Sequence, residues 1–251
     1  MGRSQAVKVL LLGGTSEARE LAAVLDGEAG MDVVTSLAGR VREPVLPLGS
    51  TRTGGFGGPE GLSAWLDSQS VDVLVDATHP FATVISKNAR SAACAARIPL
   101  IQLVRPPWRR GVGDRWTEVS SLHRAAEVVE STARRAFLTI GRQGVNAFAE
   151  CSTTWFLVRS IDPPSVSMPP RHRLVLARGP FDVQHEISLM TEHGIECLVT
   201  KNSGGLMTEA KLIAARSLRI PVVMVERPST PVADVVVNTA EDATAWLRAH
   251  L

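Results

Sequence analysis

The sequence contains no tyrosine, and aromatic residues make up only 4% of it. Without tyrosine, the Tyr–Lys pair with which short-chain dehydrogenases reduce carbonyls is closed to this chain. Lysine is almost as scarce. Lys8, Lys87, Lys201 and Lys211 stand against many arginines. Three cysteines, Cys94, Cys151 and Cys197, are odd in number, scattered and without Cys-x-x-Cys spacing. That excludes a disulfide frame or a cysteine zinc site and fits reduced thiols. No apolar run approaches the roughly 20 residues of a membrane helix. No charged-then-apolar leader opens the chain, so a cytoplasmic protein is expected, with no membrane partner. A net charge of +2, with no basic run interleaved with aromatics, argues against nucleic acid. No ligand cluster suggests a metal.

What is present is a rhyme. VLLLGGTSEARELAAVL (9–25) and LVTKNSGGLMTEAKLIAAR (198–216) each run from an aliphatic strand through a Gly-Gly turn to a helix. In an open parallel sheet such a turn presents backbone N–H groups at a helix N-terminus, where anions bind. Apolar runs and helical periods alternate along the chain. Strands are expected near 7–12, 32–37, 44–51, 71–77 and 100–104, then at 136–140, 155–159, 174–177, 196–200, 221–226 and 235–238. The stretch RPPWRRGVGDRW (105–116) has no apolar period and reads as a boundary. The expected fold class is therefore α/β: two Rossmann-like domains, 1–108 and 109–251, with mostly parallel sheets and a cleft between them.

The strand-end turns carry the chemistry. Gly13, Gly14, Thr15, Ser16 and Glu17 depart from G-x-G-x-x-G spacing, yet the glycines admit a diphosphate and the hydroxyls can cap a helix. A capped turn without ligand is the plainer alternative. At the end of the second strand, Ser36 and Arg40 stand where an NAD site carries an acid, and they suit the 2′-phosphate of NADP instead. Asp76 and His79, in DATHPFA, could orient a cofactor or protonate a product; alternatively Asp76 caps the next helix and His79-Pro80 shapes the turn. In the second half Arg142, Arg178 and Lys201, the last followed by Asn202, Ser203 and Gly204, each follow a strand, and for each arginine alone a solvated side chain is the plainer alternative. Together they would make a pocket for several carboxylates.

GGTSEAREL, SLAGR, TGGFGG, DATHPFA, RPPW, IGRQGVNAF, ARGPF, VTKNSGG and PVVMVERP follow one another over nearly the whole chain. With these motifs the sequence closely resembles the precorrin-6A reductases of cobalamin biosynthesis. The resemblance implies an NADPH-dependent oxidoreductase that reduces one double bond of the tetrapyrrole precorrin-6A to give precorrin-6B, without a metal. It assigns Gly13, Gly14, Thr15, Ser16 and Glu17 to the diphosphate and Ser36 with Arg40 to the adenosine phosphate. Gly54, Gly55 and Gly57 would allow close backbone approach, and Asp76, Thr78 and His79 would lie near the nicotinamide. Arg142, Arg178, Lys201, Asn202, Ser203 and Gly204 would face the macrocycle, with Asp76, His79 and Lys201 as candidates for proton transfer. Transient contacts with neighbouring pathway enzymes are a further expectation. Two alternatives are the cobalt-precorrin-6A reductase of the anaerobic route and, from another class, a non-catalytic nucleotide-sensing module.

Overall fold

The segment Val7–Leu12, aliphatic apart from Lys8 near its start, forms strand β1, and its last four apolar residues are buried, as expected where a sheet is covered on both faces. In the computed structural model, which describes residues 6–39, 42–229 and 231–250, strands and helices then alternate. After β1 come α1 (Ser16–Leu25), β2 (Met31–Leu37), β3 (Ser50–Thr53), α2 (Pro59–Gln69), β4 (Val73–Asp76), α3 (Thr83–Ala96) and β5 (Leu100–Leu103). They are followed by β6 (Trp116–Val119), α4 (Leu122–Thr132), β7 (Arg135–Thr139), a 3-10 helix (Arg142–Phe148), β8 (Trp155–Ser160) and β9 (His172–Leu176). The chain ends with α5 (Val183–Glu192), β10 (Cys197–Lys201), a 3-10 turn (Leu206–Thr208), α6 (Ala210–Ser217), β11 (Val222–Val225), β12 (Val235–Val237) and α7 (Ala240–Ala249). Hydroxyl or carboxylate caps start α1, α4, α5 and α7. Thr15, Ser121, Asp182 and Thr239 each accept the backbone N–H three residues on.

Two six-stranded sheets result, ordered β3-β2-β1-β4-β5-β12 and β9-β8-β7-β10-β11-β6. All pairings are parallel. Strand order reverses between β1 and β4 in the first sheet and between β7 and β10 in the second. Open α/β sheets bind ligands at such reversals, outside the carboxyl ends of the strands. In the first sheet the two-residue period sends Val9 and Leu11 to one face, against Leu21, Leu25, Ala243 and Leu247 of α1 and α7. Leu10 and Leu12 go to the other face, against Leu62, Leu66, Ala89 and Ala93 of α2 and α3. In the second sheet Phe137, Leu157 and Leu198 pack with Met190 of α5 and Leu212 of α6.

The division between units differs from the expected one. One compact unit comprises the chain up to Pro106 together with Pro228 onward, and the other is Pro107–Arg227. The second domain expected over 109–251 therefore ends at Arg227, and β12 joins β5 through Val235↔Ile101, Val236↔Gln102 and Val237↔Leu103. A short valine strand looks the same whichever sheet edge it joins, so local pattern could not assign it. Strand β6 was not foreseen, because WTEV exposes its two central residues and shows no apolar run. Strand β3 lies at Ser50–Thr53, not 44–51, and Val45, Leu46 and Leu48 are exposed in the preceding loop. Among the described residues no helix is long and apolar enough to cross a membrane.

Candidate functional site

In the first unit, the turn after β1 and the turn after β4 flank the reversal of strand order and are tied together. The Thr15 hydroxyl donates to the Ala77 carbonyl at 2.8 Å and accepts from the Ala18 amide at 3.1 Å. Its oxygen is thus committed to the turn, and Thr15 shapes the site through the backbone. Gly13 is required sterically: a Cβ there would come 2.9 Å from Thr35 Cγ2. Ser16 and Glu17 open α1, so their amides have no carbonyl one turn earlier to bond, and the helix N-terminus carries a partial positive charge there. The Glu17 carboxylate is itself occupied. It accepts from Ser16 Oγ at 3.0 Å and pairs with Arg105 Nη1 at 2.7 Å. Glu17, expected to face the diphosphate, instead has its charge neutralised beside that turn by an arginine not foreseen from sequence.

Arg40 lies outside the described residues. Ser36 is buried at the end of β2, and its hydroxyl accepts from Arg52 Nη1 at 2.7 Å. Arg52 stands directly across from Ser36 in the β2–β3 register. Its guanidinium also donates to the carbonyls of Gly54 and Gly55 at 3.1 and 3.2 Å and lies 3.8 Å from the Phe56 ring centre. Burial holds its pKa below the ordinary arginine value. Among the described residues no carboxylate pairs with it: a positive charge on neutral partners, at the carboxyl edge of two strands, retains its attraction for an anion. Sequence reading missed Arg52 because the strand was expected to end at Thr51, two residues before its actual end at Thr53. The glycines of this loop serve differently from one another. Gly54 and Gly55 supply carbonyls to Arg52, and Gly54 and Gly57 adopt φ 124° and 81°.

Asp76 is 3% exposed, and its Oδ1 accepts from both the Thr78 amide (3.0 Å) and the Thr78 hydroxyl (2.6 Å). Asp76 does not cap α3, whose N-cap Ala82 has no side-chain cap bond; it braces the turn that carries Thr78 and leads to His79. The exposed imidazole of His79 accepts the Phe81 amide at Nδ1 (3.2 Å), so in its neutral form the proton resides on Nε2.

In the second unit, Arg142 follows β7, Arg178 follows β9 and Lys201 ends β10, with β7 and β10 adjacent at the reversal. Arg142 Nη1 pairs with Asp162 at 3.2 Å. Arg178 is exposed. Lys201 is half-buried, and desolvation lowers its ammonium pKa. Asn202, expected to reach a ligand, is occupied by the chain itself: Oδ1 accepts the Trp108 amide at 2.9 Å and Nδ2 donates to the Trp108 carbonyl at 3.2 Å. Arg227, unremarked in the sequence although it too ends a strand region, donates to the carbonyls of Asn202 (2.7 Å) and Ser203 (2.9 Å). Ser203 and Gly204 are buried in this braced turn. Asn202 and Ser203 are thus braced by Trp108 and Arg227 next to the cationic Lys201.

A family model described as precorrin-6x reductase CbiJ/CobK matches residues 8–248. The chain is 53% identical over 240 residues to the precorrin-6A reductase of Rhodococcus erythropolis, covering 96% of this chain and 97% of the relative. With that of Rhodobacter capsulatus it shares 42% identity over 244 residues, covering 97% and 96%. A cobalt-precorrin-6A reductase of Priestia megaterium is 30% identical over 233 residues, covering 88% and 90%. The solved structure of a CobK precorrin-6A reductase superposes with a TM-score of 0.91 at 42% identity, over 97% of each chain. Doubled parallel sheets, anion-ready strand ends and these likenesses agree: the chain belongs to the precorrin-6x reductase family, nicotinamide-dependent oxidoreductases of cobalamin biosynthesis.

Proposed function

We propose that this chain reduces precorrin-6A to precorrin-6B in the cytoplasm, with NADPH as reductant. The observation that carries NADPH over NADH is Arg52, a guanidinium bonded to the Ser36 hydroxyl and two carbonyls, without a carboxylate partner among the described residues. A 2′-phosphate is the anion that such a cation and hydroxyl, at the ends of β2 and β3, would take in a Rossmann-ordered sheet. Gly13, Gly14 and the amides opening α1 would hold the diphosphate. When bound, the reduced nicotinamide supplies the hydride. Asp76 and Thr78 hold the turn, and His79 keeps a proton on Nε2 available for donation. Arg178 and Lys201, with Arg142 beside Asp162, would bind the peripheral acetates and propionates of the macrocycle.

The test is binding and turnover together. NADPH should bind the parent protein far more tightly than NADH. Arg52→Ala should weaken NADPH about tenfold or more while leaving NADH nearly unchanged, the worth of a charge-assisted hydrogen bond. Equal affinity of the parent for both nucleotides would reject the 2′-phosphate reading. Lys201→Ala should impair precorrin-6A binding and spare NADPH. Turnover on metal-free against cobalt-loaded macrocycle assigns the substrate; the greater identity to the metal-free enzymes favours the former.

A further inference from the structure

The loop that carries Arg178 from β9 into α5 rests on a buried ion pair. Arg159, on β8, is 6% exposed and Glu186, in the first turn of α5, is 0% exposed. Both Nη groups of Arg159 donate to the two carboxylate oxygens of Glu186, Nη2 to Oε2 at 3.2 Å. Such a pair is a weak source of stability, because stripping water from two charges offsets most of their attraction. Its geometry offers another reason for it. The Arg159 guanidinium lies 4.9 Å from the ring centre of Phe137 on β7 and 3.7 Å from that of Phe181. Phe137 is core, whereas Phe181 belongs to the Arg178 loop itself. A planar cation fixed by two hydrogen bonds therefore grips the loop through its aromatic residue. On its other side the loop abuts the turn after β10: a Cβ on Gly179 would come 2.9 Å from the Met207 carbonyl oxygen and 3.3 Å from the Phe181 ring. The loop ends on Asp182, which caps α5 by accepting the His185 amide at 3.0 Å.

We infer that Arg159 and Glu186 are positioning residues: by holding Phe181 they aim Arg178 at a carboxylate of the tetrapyrrole substrate, without touching it themselves. This rests on Arg178 as a carboxylate-binding side chain. Had the pair only a stabilising role, apolar residues of similar size would replace it without kinetic consequence.

The test uses the full chain and reads KM and kcat for precorrin-6A, the NADPH dissociation constant and Tm. Arg159→Met combined with Glu186→Leu should fold with an unchanged or raised Tm, as apolar replacement of a buried pair commonly does. It should raise KM about tenfold while kcat and NADPH affinity stay within about twofold, the signature of a lost binding contact. Phe181→Leu, which leaves the ion pair intact, should raise KM in the same way, and Phe181→Tyr should restore the parent value. A double variant with parental KM overturns the inference, as does a loss shared equally by NADPH binding. Should the double variant not fold, parental KM in Phe181→Leu overturns it instead. Arg178→Ala separates the layers. Parental KM there sinks the reading of Arg178, whereas a raised KM there beside an unaffected Phe181→Leu sinks the positioning role alone.

Discussion

Thr35 is 1% exposed on β2, with its methyl group against the β1–α1 turn and its hydroxyl lacking a hydrogen-bond partner among the described residues. A buried hydroxyl without a partner carries the desolvation cost of the group and returns nothing. Thr35→Val keeps the shape, so it should leave stability unchanged or raise it by up to about 1 kcal/mol in urea denaturation; a clear loss would reveal a partner for the hydroxyl. At this scale the sequence was readable where residues act on near neighbours. Thr15, read as a cap at the start of α1, accepts the Ala18 amide three positions on. The sequence was unreadable where the partner comes from another strand. Ser36, read together with Arg40 as a phosphate site, meets Arg52 from the neighbouring strand, and Asn202 holds the Trp108 backbone.

Elements are held to one another by groups whose titration can be followed. Glu130, near the end of α4, accepts from the Ser152 amide at 3.0 Å and from the Thr153 amide and hydroxyl at 2.9 and 2.8 Å, pinning the loop that enters β8. Burial alone would push its carboxyl up, but these bonds to Thr153 and Thr154 prevail and bring it from 4.5 to about 2. Because the folded state binds this proton less tightly than the unfolded one, the stabilisation is complete above about pH 4.5 and is lost as the pH falls toward 2. Glu130→Gln should therefore flatten the acid limb of a stability–pH curve and cost about 1 kcal/mol at neutral pH, a figure reduced for solvent screening. A variant with the parental acid slope would show that the carboxylate is not the titrating group. Elements with an apolar period were legible; β3 (STRT) and β6 (WTEV) were not, since edge strands need bury little and their sequences show it.

For the whole molecule the decisive feature is the return of the chain to its first unit. Strand β12 extends that sheet beside β5, and α7 places Ala240, Ala243 and Leu247 on the core that α1 shares. A chain ending at Arg227 would leave both surfaces open, so it should lose cooperative unfolding of the first unit and nicotinamide-nucleotide binding with it. Leu247→Ala, at 0% exposure, should cost about 2–5 kcal/mol, measured by thermal denaturation. Nucleotide affinity equal to the parent's in the truncated chain would show the returning segment to be dispensable.

By itself the sequence determined the alternation of strands and helices, the glycine turns at strand ends and the placement of cations there, because each is enforced by periodicity or by contacts a few residues apart. Only the tertiary structure decided that β6 and β12 complete the two sheets, that Arg52 meets Ser36 across 16 residues and that Arg159 meets Glu186 across 27. The physical reason is that strand-edge pairing and buried ion pairs depend on which surfaces the folded chain brings together, and a short valine strand or an isolated arginine carries no local mark of its partner.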